Sequence, residues 1–267
     1  MITLTTDFGE GSHYVAAVKG VILSINPAAV LVDLTHAIRP HDIRHGAIVL
    51  ADVAPYFPPE TIHLAVVDPG VGTDRPLVYA RMGAQHFLAP DNGLLSLLAR
   101  RWPPSRIIRL DKPKYWLQPT SATFQGRDIL APVAARLSLG FEPDRLGSPQ
   151  KRLVDFHWPE VRLSPDKIVG SVLMVDSFGN LITNITAKMF SKRPTDHRAH
   201  VICGTRETWG IHRTYGEMPP GNFIALVGSS GRLELAVVEG NAAARFNIQP
   251  GTPVTVTWEQ PEPSQQG

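Results

Sequence analysis

Apolar residues follow two rhythms along this chain, and the change of rhythm divides it. From the first residue to about Leu139, short β-branched runs alternate with stretches whose apolar positions recur at helical spacing. Residues 1–6 read as a strand. Val15, Val18, Val21 and Ile22 share one face of a helix over about 14–24, which Asn26-Pro27 stops. Residues 29–34 read as a second strand, and Pro40 opens a second helix that reaches about Ala54. Residues 62–67 form an apolar β-prone run closed by Pro69 and Gly70, which predicts a buried strand. This β-α-β-α-β alternation predicts a parallel sheet covered by helices. Residues 77–81 and 85–89 read as a hairpin, 94–101 as a helix with Asp91 as a candidate N-cap, and 107–110 as another short strand. A helix over 129–139 follows. Arg127 and Asp128 stand at its first turn, where free backbone N–H groups suit an anion or an electron-rich atom.

Beyond about Pro165 the helical spacing disappears. Residues 167–175, 180–183, 198–203, 223–227, 234–238 and 252–258 read as short strands punctuated by glycines, which predicts a small β-barrel or sandwich. The expected organisation is therefore α/β in class. An N-terminal parallel-sheet α/β domain (1–150) and a linker (151–164) precede a small C-terminal β-barrel domain (165–258), and a polar, disordered tail (259–267) ends the chain. No internal repeat is visible.

Composition narrows the function by exclusion. The chain has 267 residues and a formal net charge of +2, which points to neither disorder nor a nucleic-acid groove. One cysteine, Cys203, rules out an internal disulfide framework and a cysteine-cluster zinc site. No run is long and apolar enough to span a bilayer, and no basic-then-apolar leader opens the sequence, so the cytoplasm is the expected location and no membrane partner is expected. No histidine pair has metal-ligand spacing, so no metal is expected.

The stretch Val66-Val67-Asp68-Pro69-Gly70-Val71-Gly72-Thr73-Asp74-Arg75 concentrates the candidate chemistry. Pro69 fixes its own φ, and Gly70 and Gly72 permit positive φ, so a tight loop should leave the strand with Asp68 at its lip and Arg75 turned back toward it. The carboxyl ends of strands are where open α/β sheets bind ligands. An ordinary surface Asp-Pro-Gly turn is the alternative.

Seven motifs in order extend that reading: Thr5-Thr6-Asp7-Phe8-Gly9, Asp33-Leu34-Thr35-His36, Val67-Asp68-Pro69-Gly70-Val71-Gly72, Ala89-Pro90-Asp91-Asn92-Gly93-Leu94-Leu95, Thr123-Phe124-x-Gly126-Arg127-Asp128, Asp176-Ser177-Phe178-Gly179-Asn180 and Gly228-Ser229-Ser230-Gly231-Arg232-Leu233-Glu234. Over nearly its full length the chain resembles the S-adenosylmethionine hydrolase (SAM hydroxide adenosyltransferase) family, relatives of the SAM-dependent fluorinating and chlorinating enzymes. The resemblance implies hydrolysis of S-adenosyl-L-methionine to adenosine and L-methionine without cofactor or metal. It also implies a homotrimer with active sites between subunits.

By the same match, Asp68, Arg75 and Gln125 form the water site, Asp7 binds the ribose hydroxyls, and Asp176 pairs with the methionine ammonium. Asn180 reads adenine, Phe178 and Tyr215 offer stacking faces, and Ser229 and Ser230 hold the methionine carboxylate. Two positions depart from the family pattern: Gln125 stands where hydrolases usually carry histidine, and Ser12 where relatives often carry aspartate near the methionine amino group. Glutamine can hydrogen-bond a water but cannot take its proton at neutral pH. Two other readings stay open: a metal-dependent phosphohydrolase built on Asp7, Asp68 and Asp91, and a non-catalytic binder of adenosyl ligands.

Overall fold

The computed structural model describes residues 1–258; the expected tail, 259–267, lies outside the described residues. The chain divides into two compact units, Met1–His157 and a second beginning at Trp158.

The first unit is built on seven strands: β1 (Ile2–Thr6), β2 (Leu31–Thr35), β3 (Ile62–Val66), β4 (Leu77–Met82), β5 (Gln85–Pro90), β6 (Pro104–Arg109) and β7 (Ser148–Pro149), in the order β2-β1-β3-β5-β4-β6-β7. The first four in that order are mutually parallel, and β4, β6 and β7 continue the sheet antiparallel. Every residue of β1 and β3 is buried, which explains why these strands read as unbroken apolar or β-branched runs rather than alternating ones. Helices α1 (His13–Ile25), α2 (Ile43–Val53), α3 (Ser96–Arg101) and α4 (Ala131–Ser138) cover the sheet. Ile2, Leu4, Ile62 and Leu64 form one core cluster with Val18 and Ile22 of α1 and Val133 and Ala134 of α4.

Three local expectations are corrected. The second helix begins at Ile43, after Pro40, because Asp42 caps it by accepting from the His45 N–H at 2.9 Å. Asp91 caps nothing: its carboxylate accepts from Gln150 Nε2 at 2.7 Å and from the Val154 N–H at 2.8 Å, tying down the chain after β7. The segment before α4 is a π-helical turn, Gly126–Leu130. Pro132 has no N–H to give the Asp128 carbonyl, which accepts from the Leu117 N–H at 2.7 Å instead, while the Ala131 N–H reaches back to the Gly126 carbonyl. The Arg127 and Asp128 amides at this turn both donate to the Phe124 carbonyl, so they are not open to an anion.

The second unit is a nine-stranded, nearly closed barrel-like sheet. Its strands are β8 (Arg162–Ser164), β9 (Lys167–Val175), β10 (Leu181–Thr186), β11 (Ala199–Cys203), β12 (Arg206–Trp209), β13 (Ile211–His212), β14 (Phe223–Val227), β15 (Arg232–Val237) and β16 (Pro253–Trp258). They run in the order β12-β11-β16-β9-β10-β15-β14-β13, with β8 paired to β9. Its core is drawn from Ile168, Val172, Leu181, Ile185, Val201, Leu235 and Val254. A five-residue helix, α5 (Ala242–Phe246), interrupts the strands where the sequence pattern predicts none.

One core group ties the fold of the first unit to pH. His63 in β3 is fully buried between Thr3, whose hydroxyl lies 2.7 Å from Nδ1, and the Phe87 ring stacked 4.8 Å away. Burial pushes its imidazole down to about 4. As pH falls below the unfolded value of about 6.5, the unfolded chain takes up this proton first, so stability is lost until the folded value is passed. His63→Gln should remove this dependence. The wild-type advantage over the variant in urea unfolding should shrink by about 3 kcal/mol between pH 7.5 and 4. A constant difference across that range would show that His63 is not the titrating group.

Candidate active site

Parallel strands β1, β2, β3 and β5 deliver their carboxyl ends to one edge of the sheet, and the candidate residues of the first unit collect there. Asp7 follows β1, His41 lies in the loop after β2, and Asp68 follows β3. After Asp68 the chain folds back in two turns, closed by the Val71 N–H on the Asp68 carbonyl and the Thr73 N–H on the Gly70 carbonyl, each at 3.2 Å. Of the two glycines that permit positive φ, Gly72 uses that freedom (φ +84°), and a Cβ there would also approach the Ala122 carbonyl oxygen to 3.3 Å.

This turn returns Arg75 to Asp68. Arg75 Nε donates to Asp68 Oδ1 at 2.5 Å and Nη2 donates to Oδ2, a bidentate pair whose side chains are 10% and 7% exposed. Arg75 Nη2 also donates to Gln125 Oε1 at 2.8 Å. Arginine only donates, so the oxygen end of the Gln125 amide must face it, and the NH2 end is left as a donor elsewhere. Gln125 rides on the π-helical turn, immediately before Gly126. The three residues expected to form a water site thus stand together, around one carboxylate whose every oxygen already accepts one bond from arginine.

A small pocket of about 130 Å³ opens beside them, lined by Asp7, Phe8, His41, Asp68, Phe124 and Gln125 among others. Phe8 and Phe124 meet edge to face with centroids 5.9 Å apart and form an apolar wall. Asp7 Oδ2 accepts from the His41 N–H at 2.9 Å, and Oδ1 accepts no hydrogen bond among the described residues. His41 carries no motif signal; only the left-handed backbone that places it (φ +68°) brings it to the pocket. Ser12 caps α1, its hydroxyl accepting from the Tyr14 N–H at 3.3 Å, and does not line this pocket.

The second unit has its own, larger pocket of about 820 Å³, with Asp176, Phe178, Asn180, Tyr215 and Ser229 in its lining. Asp176 organises the turn it starts: Oδ1 accepts from the Phe178 and Asn180 N–H groups at 2.9 and 2.8 Å, and Oδ2 accepts from Asn180 Nδ2 at 3.0 Å. Asn180 is buried, its oxygen end accepting no hydrogen bond among the described residues, and Phe178 is 76% exposed. Ser229 and Ser230 are exposed at the tip of the β14–β15 turn, and only Ser229 lines the pocket. Glu234, which closes the seventh motif but is given no role there, does line it and accepts from the Tyr215 hydroxyl at 2.8 Å. Burial, reinforced by the nearby Asp176 charge, pushes the Glu234 carboxyl above the usual carboxylate range, and burial likewise pushes the Tyr215 phenol up.

Removing the arginine tests whether the Asp68 pair is dry. Arg75→Met should leave the Asp68 charge buried and unpaired, at a cost of about 3–5 kcal/mol in urea unfolding. Adding Asp68→Asn to that variant should recover much of the loss. A penalty below about 1 kcal/mol for the single variant would show instead that the pair is hydrated like a surface ion pair.

Comparison with known proteins agrees with these motifs. Residues 2–147 match the model of the SAM hydroxide adenosyltransferase N-terminal domain, and residues 170–255 match that of the C-terminal domain. The (R)-S-adenosyl-L-methionine hydrolase of Thermus thermophilus is 39% identical over 257 residues, covering 93% of this chain and 96% of its own. A fluorinase from an Actinoplanes species is more distant, 25% identical over 295 residues, covering 96% and 97% of the two chains. The crystal structure of an uncharacterized conserved protein from Thermotoga maritima superposes with a TM-score of 0.91 at 34% identity, covering 96% of this chain and all of that one. The chain belongs to the SAM hydroxide adenosyltransferase family.

Proposed function

We propose that this protein hydrolyses S-adenosyl-L-methionine to adenosine and L-methionine. The observation that carries the reading is the Asp68–Arg75–Gln125 cluster at the edge of a small, partly apolar pocket. Full-length similarity to the hydrolase from Thermus thermophilus supports it.

The sulfonium makes methionine a neutral leaving group, so departure needs no general acid. A water oxygen attacks ribose C5′ in line, the C5′–S bond breaks, and its electron pair stays on sulfur. The water proton passes to Asp68, which accepts through a lone pair that the Arg75 bonds leave open. Arg75 orients the carboxylate through two hydrogen bonds. The Gln125 amide donates to the water oxygen and fixes its position, leaving Asp68 as the sole base of the three. A carboxylate in this position disfavours a halide nucleophile, because like charges repel strongly in a partly dry site.

Asp7 holds the ribose hydroxyls, and Ser12 stands near the methionine amino group. The second-unit pocket takes the rest of the ligand: Asn180 reads adenine, Phe178 and Tyr215 stack on it, Asp176 meets the ammonium, and Ser229 and Ser230 meet the carboxylate. The active assembly is a cytoplasmic homotrimer with sites between subunits, working without cofactor or metal. Asp91, one of the three acids of the metal-dependent phosphohydrolase reading, accepts from Gln150 Nε2 and the Val154 N–H, which weighs against that reading.

Incubation with S-adenosylmethionine in plain buffer and in high chloride, followed by chromatography, tests the reading. Adenosine in both is expected, a 5′-halo nucleoside would overturn it, and bound ligand without product would favour a binding protein.

Asp68→Asn should retain ligand binding and lose roughly 10²–10⁴-fold in turnover. Unchanged turnover would remove the carboxylate from the mechanism. Gln125→His should accept the same Arg75 bond and add a titratable ring. Single-turnover adenosine formation should rise roughly tenfold, about 1.4 kcal/mol of barrier. Its pH profile should also gain an inflection at about 6–7 that the wild type lacks. A variant that binds ligand but is slower at every pH would mean that glutamine is the adapted residue here.

A further inference from the structure

Glu234 is the least explained polar group in the second-unit pocket. It sits in β15 and is 7% exposed, yet it lines a pocket of about 820 Å³. Its Oε2 accepts from the Tyr215 hydroxyl at 2.8 Å, while no hydrogen bond to Oε1 is formed among the described residues. Oε1 lies against the Cα of Gly228: a Cβ built there would stand 1.7 Å from it. The glycine that opens the Gly228-Ser229-Ser230-Gly231 turn therefore makes room for the carboxylate six residues later.

The charges around it do not balance. Neither Glu234 nor Asp176 forms an ion pair among the described residues. Asp176 directs three of its acceptor positions into its own turn. Arg213 and Glu239 also line the pocket, one cation and one further carboxylate. A buried carboxylate without a counter-charge is costly unless something else supplies the positive charge.

We propose that Glu234 is a further ligand-binding residue, whose free carboxylate oxygen faces a positively charged group of the bound ligand. The proposal rests on the substrate reading above, in which the methionyl end carries an ammonium and a sulfonium. Tyr215 orients the carboxylate through Oε2, and Gly228, lacking a Cβ, makes room for Oε1.

The test compares a cationic ligand with a neutral one that shares its nucleoside. S-adenosylmethionine and adenosine are titrated calorimetrically into the full chain carrying Asp68→Asn, so that the ligand is not consumed, with and without Glu234→Gln. The amide keeps the shape and the Tyr215 bond and removes the charge. Binding of S-adenosylmethionine should weaken roughly tenfold, and that of adenosine should change by less than about twofold. Tyr215→Phe, which keeps the carboxylate and the ring, should preserve the preference for the cationic ligand. Equal weakening of both ligands would assign Glu234 to the pocket wall or to adenine and overturn the proposal. No change in either would overturn it as well, with the substrate reading intact. A parent chain that binds adenosine but not S-adenosylmethionine would overturn both.

Discussion

A single carboxylate held almost out of water by one guanidinium organises the candidate site. Asp68 lies two residues beyond the end of β3, and Arg75 reaches it only because the chain reverses twice in seven residues. Both reversals are set by backbone bonds and by the left-handed Gly72. The pair then recruits a third group, since the same arginine nitrogen that holds Asp68 also holds the Gln125 oxygen. Both side chains are nearly buried, so little water is at hand to replace either partner. Asp68, Arg75 and Gln125 thereby hold one another in a single arrangement at the pocket edge.

Gln125 depends on a second constraint some distance along the chain. Pro132 removes one N–H from the ladder of the helix, and the backbone answers with a wider turn over Gly126–Leu130. The carbonyl freed at Asp128 takes the Leu117 N–H, and the Asp128 carboxylate, fully buried, accepts from Arg127 and from the Ser121 N–H. Arg127 and Asp128 are thereby structural anchors of the turn that carries Gln125. Within their motif, Thr123, Phe124 and Gly126 line the pocket, whereas Arg127 and Asp128 serve it by position.

In the second unit the same division of labour recurs. Asp176 looks like a ligand residue and works first as the organiser of its own turn, accepting three bonds from residues 178 and 180. Glu234 is hidden in an apolar strand, Leu233-Glu234-Leu235-Ala236, where an acid is out of pattern. Its position beneath Gly228 gives the glycine of the turn a steric reason beyond conformational freedom.

Much of this protein was legible in its sequence. Buried parallel strands announce themselves as short β-branched runs, so β1 and β3 could be read directly; the edge strand β2 and the long, alternating β9 were legible from β-branched content and length. The loop after β3 was legible for a different reason: proline and glycine restrict or release φ locally, whatever the rest of the chain does. The seven motifs, in order, carried the family. Tertiary structure decided what depends on partners distant in sequence. Edge strand β12, Arg206-Glu207-Thr208-Trp209, buries too little to leave an apolar pattern, and α5 is too short to show a period. Asp91 reads as a cap until Gln150 and Val154, some sixty residues on, take its oxygens. His41 and Glu234 reach their pockets through a left-handed backbone and a missing Cβ, and neither leaves a trace in spacing. Periodicity records which face of an element is buried; which polar atom meets which is set by packing between segments, and only the folded chain brings those segments together.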